Sequence, residues 1–222
     1  RRPNIVTPKT LLPLIRIIDD DEALLASSAL LLRSMGWEVE TWSDGASFLE
    51  AESLLRPGCI ILDVQMPGMD GLEVQSELVR RGSRIPVLFL TAHGSIPLAV
   101  RALHRGAEDF LEKPVDPMAL VARVAQCATA SAARSAEESA LAEKRSRFES
   151  LTPRERDVAE HVLRNEANKE IARALGLEVS TVKMHRANAF AKLGVHSPGE
   201  LWQLASECGL TGEGIKAPGS LP

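Results

Sequence analysis

The sequence predicts two units. The first is an α/β domain with a doubly wound, five-stranded parallel sheet of order 2-1-3-4-5, and the second a small all-α domain of four helices that includes a helix-turn-helix. Three observations carry this. Short runs rich in Ile, Val, Leu and Phe recur at helix-length intervals through the first 127 residues, as in parallel strands buried on both faces. From residue 148 the pattern becomes one of short amphipathic helices punctuated by Pro153, Gly176, Gly194 and Pro198. Between them, residues 128–147 hold seven alanines and one large apolar side chain, Leu141.

The first strand, Leu14–Ile18, runs into an acidic triplet, Asp19-Asp20-Asp21. A helix over Glu22–Met35 follows, with Leu24, Leu25, Leu31 and Leu32 at amphipathic spacing. Trp37–Trp42 alternates as a second strand, and Asp44 is a candidate N-cap for a helix over Asp44–Leu55. Cys59–Leu62 forms the third strand and ends at Asp63. The turn Met66-Pro67-Gly68-Met69-Asp70-Gly71 leads into a helix over Leu72–Arg81. Ile85–Leu90 is the fourth strand, ending at Thr91, with a helix over Ile96–Arg105 after it. Ala107–Leu111 is the fifth, followed by Lys113-Pro114 and a last helix from Asp116. These elements bound a domain at 14–127. The tail 1–13 carries two arginines and three prolines and lacks the length and cleavage pattern of a signal peptide.

The alanine-rich segment 128–147 has high helix propensity but little to bury. It reads equally as a solvated helix continuing the fifth one or as a flexible hinge. The second domain spans 148–208. Thr152-Pro153-Arg154-Glu155 is a capping box with proline at the first helical position, and that helix runs to Arg164. Asn168–Leu175 and Val179–Leu193 are ended by Gly176 and Gly194, and Pro198–Cys208 is the fourth. The Gly/Pro-rich stretch 209–222 has no periodicity and is expected to be disordered.

The formal net charge is −4, and residues 151–222 balance nine basic against nine acidic side chains. Nucleic-acid binding must then come from a local basic patch. The longest apolar stretches fall far below the roughly 18 residues of a membrane-spanning helix. The cysteines, Cys59, Cys127 and Cys208, form no CxxC pair and suit reduced, buried thiols of a cytosolic protein. The five histidines are scattered without metal-ligand spacing, and Trp37, Trp42 and Trp202 read as core.

In an open parallel sheet, ligands bind beyond the carboxyl ends of the strands. The acidic triplet, Asp63, Thr91 and Lys113 all fall on that edge. Three acids in one crevice repel and need a cation, and Mg²⁺ suits them because it takes one or two carboxylates and leaves sites for phosphate oxygens. Asp63, at the end of the central strand, is the natural nucleophile for forming an aspartyl phosphate. Thr91 can hydrogen-bond a phosphoryl oxygen, and Lys113 can bring a compact positive charge to it. Pro114 would fix the loop that aims the ammonium. In the second domain, the helix over Val179–Leu193 carries Lys183, Arg186 and Lys192 with His185 among them, a stripe suited to phosphate contacts.

The segments Ile18-Asp19-Asp20, Leu62 to Gly71, Leu90-Thr91-Ala92-His93 and Phe110-Leu111-Glu112-Lys113-Pro114 resemble the signature of two-component receiver domains, a flavodoxin-like fold. The resemblance implies that Asp63 accepts phosphate from a histidine kinase. It also implies that Asp19, Asp20, Asp63 and the Gln65 backbone carbonyl hold Mg²⁺, with Asp21 leaving the register of the ligating pair open. Thr91 and Phe110 match the family's switch pair, and Gln65 and His93 match positions that tune dephosphorylation. Leu151-Thr152-Pro153-Arg154-Glu155-Arg156, Asn168-Lys169-Glu170-Ile171-Ala172 and Ser180-Thr181-Val182-Lys183-Met184-His185 resemble the LuxR family's DNA-binding domain. Together the two domains are similar to a response regulator of the NarL/FixJ type. By that match Lys183, Met184 and Ala187 face base edges, and Lys169, Thr181, His185 and Arg186 lie nearer the backbone. Glu178 stands where the family usually has a serine-like N-cap, and Ala187 where many relatives are polar, leaving only apolar readout there.

The expectation is a cytoplasmic transcription regulator and not a turnover enzyme. Its partners would be a kinase, double-stranded promoter DNA, RNA polymerase and, on phosphorylation, a second copy reading half-sites about 10 bp apart, with no membrane. Two other classes compete. An aspartyl-phosphate phosphatase would need a second Asp two residues after the nucleophile, where this chain has Gln65. A receiver-linked protein-interaction module would leave the basic stripe solvated.

Overall fold

The computed structural model describes residues 12–51, 54–92 and 96–210, the side chains of 96–99 excepted. Two compact units divide between Ala136 and Glu137. The first holds β1 (Leu14–Ile18), α1 (Glu22–Ser34), β2 (Glu38–Trp42), α2 (Gly45–Ala51), β3 (Gly58–Leu62), α3 (Gly71–Arg80), β4 (Val87–Thr91), α4 (Ile96–His104), β5 (Asp109–Glu112) and the start of α5 (Pro117–Glu149). The five strands are parallel in the order 2-1-3-4-5.

Period-2 alternation along the central strands divides the core in two. Ile18, Ile60, Leu62, Val87 and Phe89 face α2, α3 and α4, where Phe48, Leu72, Val74, Leu78 and Ala102 meet them. Ile15, Ile17, Cys59, Ile61, Leu88 and Leu90 face α1 and α5. The covering helices use i, i+4, i+7 spacing: Leu25, Ala29 and Leu32 on α1, and Leu120, Val124 and Cys127 on α5. Cys59, Cys127 and Cys208 are all buried free thiols, and Cys59 and Cys127, far apart in sequence, share the same core cluster from β3 and α5. Trp37 and Trp42 are half-buried at the margins of the two clusters.

Local signals set most boundaries. Asp21 caps α1 by accepting from the N–H groups of Ala23 and Leu24, and Asp70 and Glu73 form a reciprocal capping box on α3. Elsewhere the structure corrects the sequence. Asp44 does accept from Ser47 N–H at 2.8 Å, but the described helix after it runs to Ala51 and does not reach the expected Leu55. Leu54 sits at φ +55°, outside right-handed helix. The fifth strand begins two residues later than expected and is half-exposed, because β5 is the edge of the sheet and has a neighbour on one side only. Arg16 interrupts the first apolar run yet is fully buried, its guanidinium donating to the carbonyls of Leu14 and Arg56.

The alanine-rich segment is helical throughout, as part of the 33-residue α5. It also buries more than its composition suggested: Ala128 lies in the first unit's core, and Ser131 Oγ accepts from Gly58 N–H at 3.1 Å. Small side chains allow that close approach of helix to strand. At its far end Phe148 packs into the second unit's core.

The second unit contains α6 (Pro153–Leu163), α7 (Asn168–Leu175), α8 (Val179–Leu193) and α9 (Pro198–Glu207). Val158, Val162, Ile171, Val182, Leu193 and Leu201 build its core. Gly176 caps α7 in the left-handed region at φ +66°, where a side chain would be strained, and so permits the tight turn into α8. Glu178 leads α8 with no side-chain cap, in line with the expected departure. Leu210 still bonds back to Ala205, so the last described residues close the helical unit. The expectations for the tails otherwise concern 1–11 and 211–222, outside the described residues. Among the described residues no helix is long and apolar enough to cross a membrane.

Candidate phosphoacceptor site and nucleic-acid interface

The strand ladder places the first site. Ile18 pairs with both Trp42 and Leu62, so β1 and β3 end level, and one further ladder bond on each strand fixes the next residue. Asp19 N–H donates to Trp42 O at 3.2 Å and Asp63 N–H to Ile18 O at 2.9 Å. At the end of β4, Thr91 O accepts from the N–H of Lys113, the residue after β5, at 2.8 Å. Asp19, Asp63, Thr91 and Lys113 thus come together from sequence positions almost a hundred residues apart.

Each of the two buried acids is oriented the same way. Asp19 Oδ1 accepts from Asp21 N–H at 3.0 Å and Asp63 Oδ1 from Gln65 N–H at 3.3 Å. Their Oδ2 atoms both take the Lys113 ammonium, at 2.6 and 3.0 Å. Asp19 is 2% and Asp63 7% exposed. Burial raises the Asp19 pKa above the ordinary carboxylate value, and its bond to Lys113 opposes that rise. Burial alone would lower the Lys113 pKa, but the hydrogen bonds to Asp19 and Asp63 prevail and raise it. The ammonium is therefore firmly charged at neutral pH, a fixed positive partner for anionic oxygen.

Asp20 is exposed, and one carboxylate oxygen from each of Asp19, Asp20 and Asp63 lies within 4.8 Å of the others, close enough to share a metal ion. Asp21 points elsewhere: its carboxylate is occupied as the α1 cap, a role signalled in the sequence by its place just before the helix. Gln65 is exposed on the loop after β3. That loop is closed by Gly71 N–H donating to Val64 O at 2.9 Å, and a Cβ on Gly71 would stand 2.1 Å from Asp63 O. Only glycine lets α3 start this close to Asp63. Thr91 is fully buried; Phe110 is half-buried, its ring centroid 6.2 Å from that of Phe89. The Lys113–Pro114 bond is cis. His93 lies outside the described residues.

In the second unit, α8 turns Val182, Ala189 and Leu193 inward. Lys183, Met184 and Ala187 are exposed, roughly 100–200° round the helix from Val182, and Ser180 shares that face. Lys169 is exposed on α7, and Thr181 and His185 are half-buried. Arg186 is held in place: its guanidinium donates to Asn168 Oδ1 at 2.9 Å and lies over the Phe190 ring at 5.2 Å. Lys192 leaves the basic stripe altogether. It binds Glu155 at 2.6 Å across to α6, a use that helical spacing could not reveal because the partner lies 37 residues away.

Comparison with known proteins follows the same division. Residues 15–125 match the response regulator receiver domain family, and residues 149–205 match the bacterial regulatory proteins of the luxR family. The chain is 42% identical over 196 residues to the transcriptional regulatory protein FixJ of Azorhizobium caulinodans, covering 88% of this chain and 93% of that protein. It is 40% identical over 187 residues to the tetrathionate response regulatory protein TtrR of Salmonella typhimurium, covering 84% and 89%. Among solved structures it is similar to the response regulator StyR, with a TM-score of 0.84 and 39% identity over 88% of this chain and 98% of that one. Full-length FixJ of B. japonicum is similar at a TM-score of 0.54 and 37% identity, over 90% and 98%.

Proposed function

The chain belongs to the response regulators that join a receiver domain to a LuxR-type DNA-binding domain, and we propose that Asp63 is its phosphoacceptor. It is a DNA-binding transcription regulator and not a turnover enzyme, and its receiver domain implies a kinase partner. The observation that supports Asp63 is the buried Asp19–Lys113–Asp63 bridge with Asp20 beside it at one sheet edge.

Three carboxylates this close form a hard oxygen donor set that fits a small divalent cation. Asp19, Asp20, Asp63 and the Gln65 carbonyl would hold Mg²⁺, which supplies positive charge to offset phosphoryl oxygens. The chain's own groups do the rest. Asp63 Oδ forms the new O–P bond as the bond from phosphorus to the histidine nitrogen breaks, and the imidazole leaves with that electron pair. Lys113 Nζ follows the phosphoryl oxygens, and Thr91 donates its hydroxyl to one of them. Phe110 then takes the space that Thr91 vacates, so that a local charge becomes a change of surface. The domains are a receiver over 14–127, a helical linker over 128–147 and a DNA-binding domain over 148–208.

Phosphorylation promotes pairing of two copies, and the dimer presents two α8 helices to successive major grooves. Lys183, Met184 and Ala187 lie toward base edges, while Lys169, Thr181, His185 and Arg186 serve the backbone. Promoter DNA and RNA polymerase are the partners, in the cytoplasm. Incubation with Mg²⁺ and a small phosphodonor is expected to give a hydroxylamine-labile adduct in the native chain and none in Asp63→Asn, with promoter footprints strengthened by the adduct. An equal adduct in Asp63→Asn would overturn the assignment.

A further inference from the structure

Beside the acidic cluster lies an open cleft of about 600 Å³. Asp20, Gln65 and Asp70 line it from the loops after β1 and β3, and Arg101 lines it from α4. Arg101 is the single cation among the described residues that line this cleft. Other arginines of this face are committed: Arg80 and Arg81 bind Glu77 at 2.7 Å or less, and Arg105 reaches Ser76 Oγ at 3.4 Å. Arg101 is exposed, and its guanidinium has no hydrogen-bond or ion-pair partner among the described residues.

The charge pattern poses a problem for an incoming donor. A phosphoryl donor arrives as an anion, and the cleft is itself lined by two acids, Asp20 and Asp70, the first of which also belongs to the carboxylate cluster with Asp19 and Asp63. The geometry points to Arg101 as the group that receives an anionic small-molecule phosphodonor, an acyl phosphate, in this cleft. A guanidinium fork suits phosphate and carboxylate oxygens alike, so it can hold the donor as it enters and the carboxylate as it leaves. In the transfer, Asp63 Oδ bonds to phosphorus while the bond from phosphorus to the acyl oxygen breaks. The carboxylate departs with that electron pair, and no proton moves. The inference rests on Asp63 being the phosphoacceptor.

The test measures phosphorylation of the full chain by acetyl phosphate in Mg²⁺, on a gel that retards the phosphorylated form, for the native chain, Arg101→Gln, Arg101→Glu and Arg101→Lys. At low salt Arg101→Gln is expected to lower the second-order rate constant roughly three- to tenfold, the scale of one charge acting on a dianion across a wet cleft. The loss should fall on donor half-saturation and not on the saturated rate. Arg101→Glu should lose more, and Arg101→Lys, which keeps the charge but not the fork, should fall between native and Arg101→Gln. The difference should shrink at ~1 M salt, where screening acts over about 3 Å, and it should be smaller with phosphoramidate, which carries one negative charge fewer. Equal low-salt rates for the native chain and Arg101→Glu would overturn the inference while leaving Asp63 in place. A native chain that is never labelled at Asp63 would remove the phosphoacceptor reading and this inference with it.

Discussion

Replacing Gly71 with alanine sets two physical effects against each other at the phosphoacceptor. Helix propensity alone favours the change, by up to about 1 kcal/mol, since Gly71 is the first residue of α3. Packing opposes it. The added Cβ would lie 2.1 Å from Asp63 O and 3.0 Å from both Asp63 C and Val64 Cα, and these are backbone atoms that cannot rotate away. Relieving the contact moves the start of α3 by about 1 Å, which strains the 2.9 Å bond from Gly71 N–H to Val64 O. Overpacking of this kind costs about 1–3 kcal/mol, and loss of the hydrogen bond adds about 0.5–1.5 kcal/mol. The net expectation is a destabilisation of about 1–3 kcal/mol, read as a urea midpoint lowered by roughly 0.5–1.5 M. The same displacement is transmitted to Asp63, so phosphorylation should slow by about 10- to 100-fold. A midpoint raised or unchanged, with native phosphorylation kinetics, would refute the claim that close approach dictates this glycine.

Two further outcomes follow from the second unit. Lys183→Ala should reduce the slope of log affinity against log salt by about one phosphate contact and weaken promoter binding, whereas Lys192→Ala should leave that slope unchanged and lower stability instead, because Lys192 is spent on Glu155; the reverse pattern in salt titrations would reassign both lysines. The bond to Lys192, aided by Thr152 N–H, holds the Glu155 pKa below its ordinary 4.5. The unfolded chain therefore takes up the proton first on acidification, and this stabilisation is complete above about pH 4.5 and fades as pH falls through the folded value. The stability difference between the native chain and Lys192→Met should accordingly shrink from pH 6 to pH 3 in denaturant titrations; a constant difference would count against the pairing.

Much of the fold was legible because its signals are local. Apolar runs, the capping residues Asp44 and Thr152, and the stops at Gly176 and Gly194 act within a turn or two of themselves. The main exceptions were non-local. β5 lost burial because it closes one edge of the sheet, and Ala128 and Ser131 found a use only through contact with the first unit's core and β3.

The sequence by itself determined which chemical groups stand at the strand ends, since residue type and strand period need no partner to be read. It also determined the division into two domains, since amphipathic period and helix stops are written along the chain. The tertiary structure alone decided how those groups are spent. It set the Lys113 ammonium between two carboxylates, tied Lys192 to Glu155, and left the Arg101 guanidinium without a partner among the described residues, on a cleft beside the site. Hydrogen bonds and ion pairs act over about 3 Å, and which side chains come that close across tens of residues is a property of the folded chain.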